Sequence, residues 1–229
     1  MDWSWVITYF PELAWGLVVT IELLVLSVVF GILLAVPIGL VQVTGPWYLA
    51  MPARAFCTII RGTPLLIQVW LLYYGLGSLF PSIPWIRHSF LWPVLREGFF
   101  YAVLAFTLSF AGYEGEVVRG ALTGVPRGEI EAGRAFGMTP FQVVTRVWLP
   151  RAIRMVLPTL AGETVVQLKS TPLAATITVM DLFGVANMIR QETYRIYEPL
   201  LLVATIYVLL TFMITKALRI VEAQIPQRR

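Results

Sequence analysis

Charge is scarce in this chain. Only 13% of its 229 residues are Asp, Glu, Lys or Arg, against 58% hydrophobic, too little polar material to cover a water-soluble fold of this length. A single cysteine, Cys57, excludes an internal disulfide and is expected to be a small buried hydrophobe. A single histidine, His88, with no Cys or His beside it excludes a histidine-based metal site. No Ser-His-Asp or paired-carboxylate arrangement is evident, so catalysis has no candidate residues. A phosphate-binding loop needs glycines ahead of a Lys-Ser pair, but Lys169-Ser170 is preceded by Leu168 and Glu163 at those places. No cofactor is therefore expected in this chain. The start, Met1-Asp2-Trp3-Ser4, has no basic region of the kind that opens a signal peptide, and the first apolar run is expected to be retained.

What the chain does have is long apolar runs. They lie at about Leu13–Val41, Phe56–Phe80, Phe99–Val118, Leu157–Leu182 and Pro199–Ile220, each near the length a helix needs to cross the hydrocarbon core. The residue alternation of a membrane β-barrel is missing, and lipid tolerates only helices or closed barrels. The expected fold is all-α, with five transmembrane helices in a single domain, 1–229. Five spans place Arg54, Arg61, Arg119, Arg127, Arg134, Arg146, Arg151, Arg154, Lys216, Arg219, Arg228 and Arg229 on one side, twelve of the 17 Lys and Arg residues. The positive-inside rule makes that side cytoplasmic and puts the N-terminus outside, with Trp3, Trp5, Trp85 and Trp92 as expected interfacial anchors.

Between the third and fourth runs lies a polar loop, 119–157. Pro126 suits a first helical position, Glu129 and Glu131 favour an N-terminal half, and Gly137 suits the left-handed end of a short helix. Thr139-Pro140-Phe141-Gln142 has the pattern of a capping box that restarts the chain. Leu149-Pro150 is expected to stop the second helix. A helical hairpin results, for which an amphipathic element lying flat on the membrane surface is the minor alternative.

The spacing in this loop carries a resemblance. Glu131-Ala132-Gly133, then Gly137, then Val147-Trp148-Leu149-Pro150, resembles the loop of importer-type ABC permeases, whose pattern is Glu-Ala-Ala, Gly four residues on, and Ile-x-Leu-Pro beginning ten residues later. Gly133 departs from the usual Ala and Val147 from the usual Ile. Arg61-Gly62-Thr63-Pro64-Leu65-Leu66-Ile67-Gln68 with Tyr73-Tyr74-Gly75, and Lys169-Ser170-Thr171-Pro172-Leu173-Ala174, are similar to second-span and fourth-span signatures of polar amino-acid permeases, although Ala is commoner than Pro at position 172. Glu163 together with Thr176-Ile177-Thr178-Val179 and Asp181-Leu182 most resembles the M-type subunits of systems for histidine, lysine, arginine, ornithine or opines.

The resemblance implies the ABC importer type I permease fold, a bacterial inner-membrane location and a coupling helix that docks on an ATP-hydrolysing subunit. Arg127, Glu131, Ala132, Arg134 and Gly137 are then the ATPase-coupling residues. ATP and Mg would be bound by two partner subunits. A second, homologous permease chain in a heteromeric pair and an extracytoplasmic solute-binding protein complete the expected assembly. The same architecture could import glutamine, glutamate or cystine. A stand-alone ion channel or ion-coupled carrier would explain intramembrane charge but not the hairpin, and a membrane-embedded hydrolase has no residue to support it.

Ionisable groups in lipid cost on the order of 2.5–3.5 kcal/mol at a helix centre, so each needs a role. Glu163, Gln167 and Ser170 share one helical stripe, which reads either as pathway lining or as polar contact between helices. Lys169 projects elsewhere and could face Glu22. Pro172, after Thr171, is expected to break the fourth span. Glu163, Gln167, Ser170, Thr171, Asp181 and Glu192 are the candidate substrate-pathway residues. Asp181 reads alternatively as a helix-terminal group, and Glu192 as a loop ion pair with Arg190 or Arg195. Arg61 is expected to reach the cytoplasmic headgroups.

Overall fold

A computed structural model of the chain describes residues 4–223. The expected anchors and charges at Trp3, Arg228 and Arg229 lie outside the described residues. The structure is all-helical among those residues. Among the described residues, three helices are long and apolar enough to cross a membrane: α1 (Phe10–Thr44), the segment Leu65–Ser82, and Tyr197–Ile220. The pair Pro140–Ile177 and Leu182–Thr193, bent by 49°, adds a fourth if it is counted as one broken span.

Two of the five expected runs differ in detail. The second begins at Leu65 rather than Phe56, because α2 (Trp47–Gly62) ends before Pro64 and α3 (Leu65–Trp70) starts anew. Pro64 lacks an amide donor, holds φ −61° and ψ 135°, and disfavours helix in the residue before it. The third run lies on α4 (Gly98–Gly124), 27 residues long. Its C-terminal half carries Glu114, Glu116 and Arg119, and it is not among the helices that meet both length and apolarity.

The chain divides into two units. The first comprises Met1–Val29, Thr63–Thr107 and Thr164–Lys216. Its interior has one cluster around Leu23, Tyr101, Phe106 and Ile177 and another around Trp5, Leu182, Val185 and Ile189. Trp5, expected at the interface, is buried in the second cluster, whereas Trp85 is 75% exposed.

The second unit comprises Phe30–Gly62, Leu108–Glu163 and Ala217–Arg229. Small residues let its helices approach closely. A Cβ added at Gly39 would stand 2.6 Å from Val118 Cγ1, and one at Gly112 would stand 2.5 Å from Ile60 Cγ2. Such approaches suit helices that associate in lipid, where close packing replaces the hydrophobic driving force. Cys57 is buried here, as expected, and Gln42 Nε2 donates to its Sγ at 3.5 Å. A further cluster of Val118, Leu122, Val125, Ala152 and Val156 takes in Ile130 and Trp148 and so anchors the polar loop.

Candidate functional site

In the second unit, α5 (Arg127–Ala135) carries the Glu-Ala-Gly stretch. Pro126 is the N-cap residue of this helix, one position before its expected place. The helix ends in a Schellman motif: Gly137 N–H donates to the Arg134 carbonyl at 2.9 Å, and Met138 N–H donates to the Gly133 carbonyl at 3.2 Å. Gly137 has φ +78°, the left-handed value such an end requires.

The chain restarts at α6 (Pro140–Val143). Thr139 Oγ1 accepts from the Gln142 amide at 3.3 Å while Gln142 Oε1 accepts from the Thr139 amide at 2.9 Å, so both arms of the capping box are formed. Leu149-Pro150 does not stop this second helix. A π-helical turn, Val144–Trp148, runs straight into α7 (Leu149–Ser170), with Pro150 in its first turn. The wider turn is closed by Leu149 N–H on the Val144 carbonyl, and proline is tolerated where its missing donor is not needed.

The hairpin is fastened at its base and bare at its tip. Trp148 Nε1 donates to the Leu122 carbonyl at 2.7 Å, and Arg151 pairs with Glu129 at 3.5 Å. Gly133 is buried, and a Cβ there would meet Met138, Val143 and Val147 at 3.5–3.6 Å, ordinary contact distances. The alanine of the resembled pattern therefore fits this backbone. At the tip, Phe136 is 86% exposed and Phe141 is 76% exposed. Arg127, Glu131 and Arg134 line one recess of about 330 Å³ with Val43, Leu122, Ile130 and Trp148. Ala132 is exposed outside it. Arg61, expected to reach headgroups, lies 3.8 Å from Glu116 and over the Tyr113 ring, and Arg119 is 2.9 Å from the same carboxylate.

The pathway candidates separate. In the first unit, Gln167 is buried, and its Nε2 donates to Ser27 Oγ and to the Phe106 carbonyl, both at 3.1 Å. It therefore joins helices in the way the alternative reading expects. Ser170 Oγ donates to its own helix at the Val166 carbonyl. The span breaks after Ser170 as Pro172 suggests, through a 3₁₀ run, Thr171–Ile177, and Thr178 with φ +70°. Asp181, 0% exposed, then caps α8 (Leu182–Thr193): Oδ1 accepts from Gly184 N–H at 2.8 Å. Tyr207 on α9 (Tyr197–Ala223) donates to Asp181 Oδ2 at 3.4 Å and shares a 2.9 Å hydrogen bond with Thr171. Thr171 and Asp181 thus converge on one phenol.

Glu192 is exposed and accepts from Tyr9 at 2.9 Å, an interaction that pushes the Tyr9 phenol above its ordinary pKa. In the same loop Arg195 lies 3.7 Å from Glu198. Glu22 and Lys169 are both exposed. Glu163 belongs to the second unit, within electrostatic reach of Glu114. Tyr207 and Glu114 had no place among the expected site residues. The signal for Glu114 was an ionisable group inside an apolar run, as informative there as at Glu163.

Comparison with known proteins adds a family. The family model described as "Binding-protein-dependent transport system inner membrane component" matches residues 27–225. The octopine transport system permease protein OccM of Rhizobium radiobacter is 40% identical over 96% of this chain and 89% of that protein. The nopaline transport system permease protein NocM of Agrobacterium fabrum is 35% identical over 97% and 91%, and the histidine/lysine/arginine/ornithine transport system permease protein HisM of Escherichia coli K12 is 35% identical over 93% and 92%. A solved amino acid ABC transporter with histidines superimposes with TM-score 0.82 at 31% identity, over 98% of this chain and 99% of that one. The MetNI methionine ABC transporter in an inward-facing conformation gives TM-score 0.79 at 20% identity, over 99% and 100%, which bears on the fold alone.

Proposed function

Since this chain belongs to the binding-protein-dependent transport system inner membrane components, a family of ABC-importer permease subunits, we propose that it carries basic amino acids or opines inward, driven by ATP hydrolysis in partner subunits. The hairpin tip is the observation that carries the reading. Phe136 and Phe141 present large apolar side chains on a backbone held by a Schellman motif and a capping box. Exposed aromatic surface on a rigid element is the form a docking knob takes. Arg127, Glu131 and Arg134 beside it supply charge for the seat, with Ala132 and Gly137 setting the helix face and its turn.

On this reading 1–229 acts as one permease domain with five spans, its N-terminus outside and its hairpin loop 119–157 in the cytoplasm. Two ATP-binding subunits, a second homologous permease and a solute-binding protein complete the machine. The basic or opine cargo is supported by what OccM, NocM and HisM are named for. The pathway residues are Glu163, Gln167, Ser170, Thr171, Asp181 and Glu192, of which Thr171 and Asp181 share Tyr207.

Co-purification and uptake test the proposal together. The chain, expressed with its cognate subunits, should bring down an ATPase subunit, and the reconstituted complex should import arginine or an opine only with ATP and binding protein present. A chain that purifies alone and conducts ions would be a channel instead. Asp181→Asn tests the cargo contact: asparagine still caps the helix, so loss of basic-substrate uptake beyond that of neutral amino acids supports the site, and equal loss assigns Asp181 to the cap alone.

A further inference from the structure

The paired tyrosines of the second apolar run, Tyr73 and Tyr74, have no part in the function proposed above, yet in the first unit they line a cavity of about 400 Å³ together with Gly77, Trp92, Arg96 and Tyr101. The chain from Leu71 to Leu76 is π-helical, with Gly77 N–H donating to the Leu72 carbonyl. A turn this wide sets neighbouring residues at a smaller angle about the axis than an α-helix does, so consecutive tyrosines reach the same wall. The Tyr73 ring stands nearly perpendicular to both of its neighbours, with centroids 5.0 Å from Tyr74 and 5.7 Å from Tyr101. Tyr101 donates its hydroxyl to the Leu95 carbonyl at 2.6 Å, which ties the backbone beside Arg96 to α4. Arg96 Nε–H donates to Glu97 Oε1 at 3.2 Å, while its two Nη groups have no partner among the described residues. Glu97 itself does not line the cavity.

Size and chemistry narrow the occupant. The cavity falls within the roughly 300–1,000 Å³ of small-molecule sites, which are walled by apolar and aromatic groups with a few polar ones. Its one charged lining group is a guanidinium, which repels a metal ion and whose free edge can hold a carboxylate through two parallel N–H donors. Tyrosine and tryptophan rings cover an aliphatic stem and attract an ammonium or guanidinium. A free amino acid offers an anion and a cation a few bonds apart on such a stem. Neither Thr171 nor Asp181 lines this cavity, so it is separate from the candidate pathway residues, and on the proposed topology it lies on the side from which cargo arrives. We infer that the cavity is a second amino-acid site, with the carboxylate of the ligand on the Arg96 Nη groups and its cationic and apolar parts against Tyr73, Tyr74 and Trp92. That the ligand is the transported cargo rests on the proposed function, whereas the preference for a carboxylate rests on Arg96 alone.

Tryptophan emission of the assembled transporter in lipid nanodiscs, without ATP or binding protein, tests the site. Trp92→Phe keeps an aromatic wall and removes the reporter, so the difference between wild type and this variant isolates the cavity from any other site. Titration should give a saturable Trp92-dependent change with L-arginine, at least tenfold tighter than with agmatine, which has the same guanidinium and stem but no carboxylate. Arg96→Gln should weaken arginine at least tenfold and erase that preference. A Cβ at Gly77 would meet Tyr101 only at 3.5 Å or more, ordinary contact, so Gly77→Leu keeps the backbone, fills the cavity and should abolish the signal. No Trp92-dependent change, equal affinity for the two ligands, wild-type affinity in Arg96→Gln, or an undiminished signal in Gly77→Leu overturns the inference. ATP-driven uptake by the same preparations separates the two proposals: binding that depends on Arg96 without uptake supports the cavity and defeats the transport reading, and uptake without such binding does the reverse.

Discussion

At Gly137 and at Thr178 the chain turns through the left-handed region, with φ of +78° and +70°, yet the two turns are held by different means. Gly137 has no Cβ to clash, an added one would meet nothing within 4 Å, and the turn is closed by amides of adjacent residues. The conformation is local and costs little. Thr178 is β-branched, for which this region costs roughly 1–2 kcal/mol, and its surroundings must hold it there. Gly98 allows this: a Cβ at that position would stand 2.4 Å from the Ile177 carbonyl and 3.1 Å from Thr178 Oγ1. A turn made by its own sequence therefore contrasts with a turn that needs the room left by a residue eighty positions away.

The contrast can be broken most severely at Gly98. Gly98→Ala forces a methyl group against backbone, and overpacking of this kind costs about 1–3 kcal/mol; with so short an approach the upper end is expected. Thermal unfolding of the purified chain should show a clear loss, and a variant as stable as wild type would mean that the Thr178 turn does not depend on this contact.

Gly137→Val acts on the other turn. A β-branched residue at φ +78° costs about 1–2 kcal/mol, concentrated in the hairpin, so membrane insertion and global stability should change little while ATP-driven uptake falls at least tenfold. Uptake at the wild-type rate by a complex that still binds its ATPase would sever the hairpin from coupling.

Thr178→Gly should relieve strain and raise stability by roughly 0.5–1 kcal/mol, the left-handed penalty less the entropy glycine adds to the unfolded chain. Destabilisation would show that Thr178 contributes through its hydroxyl. Smallest is Gly133→Ala, where a Cβ meets only ordinary contacts; helix propensity should add about 0.5 kcal/mol with uptake unchanged. A drop in uptake would make the helix face at Gly133 part of the docking surface.

How much was legible in the sequence follows from the range of each interaction. The capping box of Thr139 and Gln142 and the left-handed Gly137 were readable because each depends on residues no more than a few positions apart. The break at Pro172 was readable for the same reason, although its form, a seven-residue 3₁₀ run, was not. Leu149-Pro150 misled because a π-helical turn absorbs the proline and lets α7 continue. The start of the second span was misplaced because apolar composition does not register that Pro64 ends one helix and begins another.

By itself, then, the sequence determined that this is a helical membrane protein with a capped polar hairpin, because hydropathy, dihedral preference and capping are properties of short stretches of chain. Tertiary structure alone decided what the intramembrane polar groups do. Gln167 bonds to Ser27 and Phe106, which lie 140 and 61 residues away. Asp181 caps a helix and meets Tyr207, and Glu114 is buried with neither carboxylate oxygen hydrogen-bonded among the described residues. In a low-dielectric interior the energy of a polar group is set by what stands across from it, and no local pattern of residues specifies that neighbour.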